Sequence, residues 1–483
     1  MTIDILLSPN DSSASEINSL CLGSGRFLRS VLVPFLASHS NPAVFQTRGR
    51  GFVDFFLDKN TNPTADNDGA DVTRTTSLQY PISTMHQNGL TSTSLVSLSA
   101  AGTLGTPPGN SYLMNELISN SNSAGGIKCL EVIGVGVTEA GLLNASRKNG
   151  TMRDLTELLF RIYQRGLLIN KVNDNNGDGD NEDGNANSDG GNTAAMMICP
   201  NPNGRICIIN TDNVPKNGDV IRNLVLENAK EFYGNDDAEN NNAENENNIN
   251  NTNKGTFLHF LRTRISFLNT MVDRITSSQP NSNGLIPLCE PLPAKALVIC
   301  DPEHDLPLWM TATTTVQQEY GVKIRHSQKE LEMDMKLKLR VANGTHTAVA
   351  HVMALSSLVT TESLYDDDGD GNLSNATTNT NTDTTDTTAN NPTRLLLPYL
   401  DSLYQTQILP AATLDDIPPH ETDATWHDWR RRLQHPHFGL STFFITQNGA
   451  AKGGIRLGPS VKCLIVGSVG VGGGKEVRRK PIV

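Results

Sequence analysis

The chain has 483 residues and a formal net charge of −12, enough length for two or three domains with sizeable cores. The charge is concentrated: residues 173–192, 235–253 and 366–391 hold 17 of the 51 acids and no base, leaving 34 acids against 39 bases elsewhere. That mildly basic body suits an anionic cofactor but lacks the clustered basic face of a nucleic-acid binder, an apolar run near the length of a membrane span and a basic-then-apolar signal segment. Seven cysteines are scattered without a CxxC pair, several within apolar runs such as Leu297-Val298-Ile299-Cys300. This is the setting of buried free thiols, and the expectation is a soluble, cytoplasmic protein.

In chain order, residues 18–36 predict a short strand, a glycine turn and a helix, through Leu20-Cys21-Leu22-Gly23-Ser24-Gly25-Arg26-Phe27-Leu28-Arg29. Gly23 and Gly25 let backbone approach a pyrophosphate at the helix N-terminus, and Arg29 is placed to reach a phosphate. Leu28 stands where the common dinucleotide fingerprint has its third glycine. Ala43 to Thr47 reads as the second strand. No carboxylate follows it for a ribose 2′-hydroxyl; Arg48 and Arg50 come first, which fits either a 2′-phosphate or simply a different loop. Residues 58–126 are rich in Ser, Thr, Asn and Gly and yield only loops and short strands.

Leu130 to Gly141 is a buried strand ending in Thr138-Glu139-Ala140-Gly141. At the carboxyl edge of a parallel strand such residues either face a ligand or only close the strand. Met152 to Leu168 predicts an amphipathic helix, with Leu155, Leu158, Leu159, Ile162 and Tyr163 at helical spacing. Ile206 to Asp219 is a strand running into the polar turn Asp212-Asn213-Val214-Pro215-Lys216-Asn217-Gly218, with a helix from Val220 to Phe232. Val272-Asp273-Arg274-Ile275 offers Asp273 as a ligand carboxylate or as half of a surface pair, with Arg274 structural. Ala296 to Cys300 and Val322 to Arg325 predict strands that close the first domain.

The stretch Met335 to His346 follows the acidic start Glu330-Leu331-Glu332 and runs into Ala348-Val349-Ala350, so it predicts a helix entering a core. At about 100° per residue, Lys338, Asn343 and His346 share a sector of roughly 140°. An amine whose pKa is lowered by burial can take a proton from an alcohol, and an amide can donate to the resulting oxygen.

Lys338-x4-Asn343-x2-His346 resembles the active-site signature of the mannitol dehydrogenase family, the long-chain, metal-independent polyol and sugar-acid dehydrogenases that include fructuronate and tagaturonate reductases. Further similar segments follow in order: Gly23-x-Gly25-x-Phe27-x-Arg29, Thr138-Glu139, Asp212-Asn213 with Asn217-Gly218, Val272-Asp273-Arg274-Ile275, and Asn448-Gly449-Ala450-Ala451-Lys452. The resemblance implies an α/β fold, an N-terminal Rossmann-like dinucleotide-binding domain followed by a mainly α-helical domain, with the site in the cleft between them. It implies hydride transfer between NAD, or alternatively NADP, and a secondary alcohol or ketone of a polyol. Lys338 would be the general acid/base, Asn213 and Asn343 would hold the developing alkoxide, and His346 would orient the substrate hydroxyl. Asp273 and Lys452 would contact the substrate; Gly23, Gly25, Phe27, Arg29, Thr138 and Glu139 would line the cofactor. No metal is required. Partners are a small polyol or sugar acid, with no nucleic acid and no membrane, and the chain is compatible with a monomer or a dimer.

Some features depart from that pattern. Met335 stands where some mannitol-type members have a proton-relay Glu, and Phe444 where they have Arg; Phe444 and Asn343-Gly344-Thr345-His346-Thr347-Ala348 keep a ketouronate reductase open, while Asn213 leans back toward mannitol or fructuronate types. The expected domains are 1–329, 330–465 and a Gly-rich, basic tail at 466–483, too short for the family's helical C-terminal block, so a non-catalytic cofactor-binding relic is a further alternative. The three Asn/Asp/Gly/Thr-rich inserts are expected to be disordered surface loops. Two of them imitate the start of a calcium loop, at Asp174-x-Asn176-x-Asp178 and Asp366-x-Asp368-x-Asp370, but carry Asn185 and Thr377 where the twelfth-position Glu belongs.

Overall fold

The computed structural model describes residues 5–7, 17–40, 42–47, 49–61, 78–104, 130–136, 150–174, 203–233, 256–279, 282, 284–312, 314–355, 396–433, 435, 446 and 449–470. Side chains are described for these except 5–7, 57–61, 166–174, 449–452 and 467–470. The acidic inserts, apart from the backbone of Asn173 and Asp174, together with Thr138, Glu139, Phe444 and the side chain of Lys452, therefore lie outside the described residues. The chain divides into two units, 1–84 with 93–331, and 85–92 with 332–483.

The first unit is built on a nine-stranded sheet ordered β1-β6-β3-β2-β7-β8-β9-β12-β13. Its strands are β1 (Ile5–Leu7), β2 (Ser19–Leu22), β3 (Pro42–Gln46), β6 (Ala100–Thr103), β7 (Val132–Val135), β8 (Ile206–Asn210), β9 (Ile265–Val272), β12 (Leu297–Cys300) and β13 (Val322–Arg325). β6, β3, β2, β7, β8 and β9 are all parallel neighbours. Numbered by their order in the chain these six run 3-2-1-4-5-6, the order of doubly wound sheets that reverse between their first and fourth strands. β1 pairs antiparallel at one edge. At the other, β12 pairs antiparallel with β9 and parallel with β13.

The apolar runs became strands because both faces of such a sheet are covered. Leu20, Leu22, Ile133, Val135, Ile206 and Ile208 enter one core with α3 (Thr151–Asp174), α4 (Asn217–Tyr233) and α5 (Phe257–Thr263). Cys21, Val132, Cys207 and Ile209 enter the other, with α1 (Val33–Ala37) and α2 (Gly51–Thr61). Cys21, Cys207, Cys289 and Cys300 are buried free thiols; burial pushes Cys21 up to about 12 and raises Cys207 and Cys289. β6 is one of the short strands expected within 58–126, and it takes an interior place in the sheet. Ala100-Ala101-Gly102-Thr103 is fully buried in the parallel sheet, and its small residues gave it no hydrophobic run. A second, four-stranded sheet, β10-β11-β4-β5, comprises β4 (Gln79–Met85), β5 (Thr91–Ser97), β10 (Thr276–Ser278) and β11 (Pro287–Cys289). Two short helices, α6 (Leu308–Thr311) and α7 (Thr314–Glu319), lie between β12 and β13 in the chain.

The helix α8 (Gln328–Leu337) opens with a capping box. The Ser327 hydroxyl donates to Glu330 Oε2 at 3.1 Å and accepts the Glu330 N–H at 3.3 Å, while the His326 N–H donates to the same carboxylate at 3.1 Å. In the second unit follow α9 (Asn343–Leu355), α10 (Leu396–Leu403), α11 (Leu409–Leu414), α12 (Pro419–Leu433), α13 (Gly449–Arg456) and α14 (Gly458–Gly470), the last running into the stretch expected to be tail. Residues 85–92 join this unit through the C-terminal end of α12: Gln87 Nε2 donates to Arg431 O at 3.0 Å and His435 Nε2 bonds Met85 O at 2.5 Å. No helix among the described residues is long and apolar enough to cross a membrane.

Candidate functional site

In the first unit, the glycine turn leaves the carboxyl end of β2 where the strand order reverses, between β2 and β7. Gly23 has φ +106°, and its N–H donates to Phe45 O at 2.8 Å. A Cβ there would meet Gly136 O at 2.7 Å, so only glycine makes this turn. Gly25 is exposed, and its Cβ would find only Gly136 O, at 3.7 Å. The absent third glycine is compensated from the neighbouring strand. A Cβ on Gly134 would lie 2.9 Å from Leu32 Cδ2, and one on Gly136 would lie 2.9 Å from Leu28 Cδ2. The small residues that let helix and sheet approach therefore sit on and just beyond β7, and the helix keeps its leucine. Residues 26–37 form one helix, whose first N–H groups have no intrahelical acceptor, the arrangement that suits an anion at a helix N-terminus.

That helix contains a π-turn, Leu28–Leu32, a geometry frequent at functional sites. The inserted residue displaces carbonyls from helical register, and outside donors meet them: Tyr80 Oη donates to Arg29 O at 2.6 Å and Arg274 Nη1 to Ser30 O at 2.5 Å. Arg274 also donates to Glu290 O from Nε and Nη2, so it is a structural clamp. Arg29, expected at a phosphate, is buried as well. Its guanidinium donates to Ser24 O at 2.8 Å, to Gly284 O at 3.3 Å and to Leu285 O, and sits 5.2 Å from the Phe52 ring centroid. Burial lowers the pKa of both arginines. Arg29 thus braces the glycine turn against backbone, a role invisible in the GxGxFxR pattern because two of its partners, Gly284 and Leu285, lie some 255 residues away. Phe27 is half-buried and packs against the core on that side of the sheet.

Asn213 and Asp273 stand at the same edge, at the carboxyl ends of the parallel β8 and β9. Asn213 is exposed, and its N–H donates to Asp212 Oδ1 at 2.8 Å. Asp273 is half-buried, and its N–H donates to Ala296 O at 2.8 Å. Sequence reasoning treated Asn217 only as part of a motif, yet it builds this edge. Fully buried, it donates from Nδ2 to Asp212 O (2.9 Å) and Thr270 Oγ1 (2.8 Å) and accepts the Thr270 N–H (2.9 Å), tying the Asn213 turn to β9. Gly218 beside it packs on backbone: a Cβ would lie 2.5 Å from Leu268 C. Asn217→Ala strands those groups, and a stability loss of about 2–4 kcal/mol is expected. Denaturant unfolding would read it as a lower midpoint at unchanged slope.

Where β3 ends, Gln46 Oε1 accepts the Phe52 N–H at 2.9 Å and Arg50 pairs with Asp54 at 3.2 Å, so both side chains serve the start of α2. Arg48 lies outside the described residues.

In the second unit, Lys338 begins a π-turn, Lys338–Ala342, between α8 and α9. The Asn343 N–H closes it onto Lys338 O. In a uniform α-helix residues five apart diverge by about 140°, whereas an i→i+5 closure sets Asn343 beside Lys338 as an α-helix sets i+4 beside i. His346, three residues on, neighbours Asn343 on the α9 face. The inserted residue thus contracts amine, amide and imidazole into one stripe. Thr345 Oγ1 donates to the carbonyls of Val341 (2.6 Å) and Ala342 (3.1 Å), holding the turn. Arg340 and Lys336 anchor it through Asp415, at 2.6 and 3.1 Å. Gly344 admits the α13 end: a Cβ there would meet Leu457 at 3.3 Å and Arg456 O at 3.5 Å, and Arg456 Nη1 donates to Thr347 Oγ1 at 2.8 Å. Lys338 and Asn343 are half-buried; His346 is buried, its ring 5.7 Å from that of Trp429. Among the described residues no cluster of three or more metal-ligating side chains occurs.

No protein-family model and no curated protein matches the chain, so the likeness to mannitol dehydrogenases rests on the short motifs alone.

Proposed function

We propose that this protein is a nicotinamide-dependent oxidoreductase that interconverts a secondary alcohol of a polyol and its ketone. The observation that carries the reading is the glycine turn at the strand-order reversal of a 3-2-1-4-5-6 sheet, where dinucleotides bind in doubly wound folds. All three glycine functions of the dinucleotide fingerprint have a counterpart there: the tight turn at Gly23, the open backbone at Gly25 and the close helix–strand packing supplied by Gly134 and Gly136. The residues present therefore fit a pyrophosphate. NAD is favoured by resemblance, with NADP as the alternative.

When bound, the nicotinamide would accept or return the hydride carried by the substrate carbon. In oxidation the neutral Lys338 amine takes the hydroxyl proton, and in reduction the ammonium returns it to the carbonyl oxygen. The Asn343 amide donates to that oxygen as its charge grows, and His346 orients it. Asn213 and Asp273 offer an amide and a carboxylate to the substrate's oxygens. The test is NADH and NADPH binding by the full chain, followed by turnover on mannitol, arabinitol, fructose, fructuronate and tagaturonate side by side. Turnover on fructose or mannitol supports the polyol reading, and turnover on the uronates alone moves it to a ketouronate reductase. No binding of either nucleotide would overturn it.

A further inference from the structure

We propose that Trp429 is a positioning residue that sets the ring plane of His346; the consequence for turnover rests on the dehydrogenase reading above, the contact itself does not. His346 lies 9% exposed on α9, and Trp429 of α12 is 3% exposed. Their ring centroids are 5.7 Å apart with an interplanar angle of 64°, the edge-to-face geometry that aromatic quadrupoles favour over a face-to-face sandwich. Trp429 is itself held: the Arg432 guanidinium lies 4.7 Å from its ring centroid, one helical turn on along α12. Arg432 in turn lies 3.8 Å from Asp428.

One turn before Trp429, Trp426 stacks on Tyr404 at 4.8 Å and 9°, and Tyr404 Oη donates to Asp423 at 2.5 Å. Two aromatic pairs a turn apart fix the rotation of α12 about its axis, so the Trp429 ring meets His346 in one orientation. An imidazole donates and accepts only in its own plane. A residue that fixes that plane therefore fixes the direction in which His346 meets a substrate hydroxyl, although it touches no substrate itself. No local pattern points to this contact, since 82 residues separate the two rings.

The contact is read without turnover from the His346 ring signal in histidine-labelled protein, assigned by its loss in His346→Gln. The expected result is a ring-current displacement by the indole, abolished in Trp429→Leu and largely kept in Trp429→Phe. In turnover, Trp429→Leu is expected to lower kcat roughly 10- to 100-fold with little change in KM, beyond whatever its melting temperature loses to the smaller side chain, and Trp429→Phe to restore most of it. A His346 signal unmoved by Trp429→Leu overturns the proposal. So does a loss of kcat that merely follows a fall in melting temperature and is not rescued by Phe. If the wild type turns over none of the five substrates, the dehydrogenase reading fails, and the ring signal alone then decides whether Trp429 holds His346.

Discussion

Lys338→Ala is expected to lower kcat for ketose reduction by about 10²- to 10⁴-fold, the range a positioned acid/base contributes, while leaving NADH affinity unchanged. The reason lies in the π-turn that begins at Lys338. It sets the amine beside Asn343 and in line with His346, so under the proposed function the proton and the developing oxygen charge would be handled from one stripe. Lys336, two residues earlier, is the matched control. Its side chain is 46% exposed and pairs with Asp415 at 3.1 Å. An exposed pair of this kind contributes about 0–1 kcal/mol, so Lys336→Ala should leave kcat within a factor of two or so of wild type. Steady-state kinetics of both variants, with the melting temperature of each, makes the comparison. Equal rates in Lys338→Ala and wild type would reduce the stripe to a helix face.

The second large effect separates two glycines that look alike in the GxG pattern. Gly23→Ala puts a Cβ 2.7 Å from Gly136 O at a residue held at φ +106°. The backbone conformation alone costs roughly 1–2 kcal/mol, and the overlap with a strand backbone cannot be relieved by turning a side chain. A stability loss of about 2–4 kcal/mol is expected, with a melting temperature lower by roughly 2–4 °C for each kcal/mol in a unit of this size. Gly25→Ala meets nothing closer than 3.7 Å and needs no unusual φ. Its melting temperature should match wild type, and its Kd for NADH should rise roughly tenfold or more, the equivalent of about 1.4 kcal/mol, because the added methyl would occupy the space that the proposed pyrophosphate would approach. Thermal unfolding and a nucleotide titration read the two effects apart. A Gly25→Ala protein that binds NADH as tightly as wild type would remove the phosphate from this turn.

The local sequence by itself determined the elements whose signal is periodic. β2, β7, β8 and β12 are apolar runs buried on both faces, and α3 and α4 alternate apolar and polar residues with helical spacing, so burial against one layer or two follows from the residues in hand. The candidate residues Gly23, Gly25, Lys338, Asn343 and His346 were legible for the same reason, as chemistry at a fixed spacing within a dozen residues. What only the tertiary structure decided is non-local. β6 is four small residues that become a strand because β3 and β1 flank them. The missing third glycine was supplied by Gly134 and Gly136, more than a hundred residues away, because crowding between a helix and the adjacent strand can be relieved from either side. Arg29 bonds carbonyls at Gly284 and Leu285, and Arg274 bonds one at Ser30, so their charges serve a buried joint that no neighbour in sequence reveals. The π-turn at Lys338 leaves no mark in hydrophobic periodicity. One inserted residue shifts the register, and its carbonyls and charges are met by Thr345 on α9 and by Asp415 beyond α11, groups brought to the turn by the helices that pack around it.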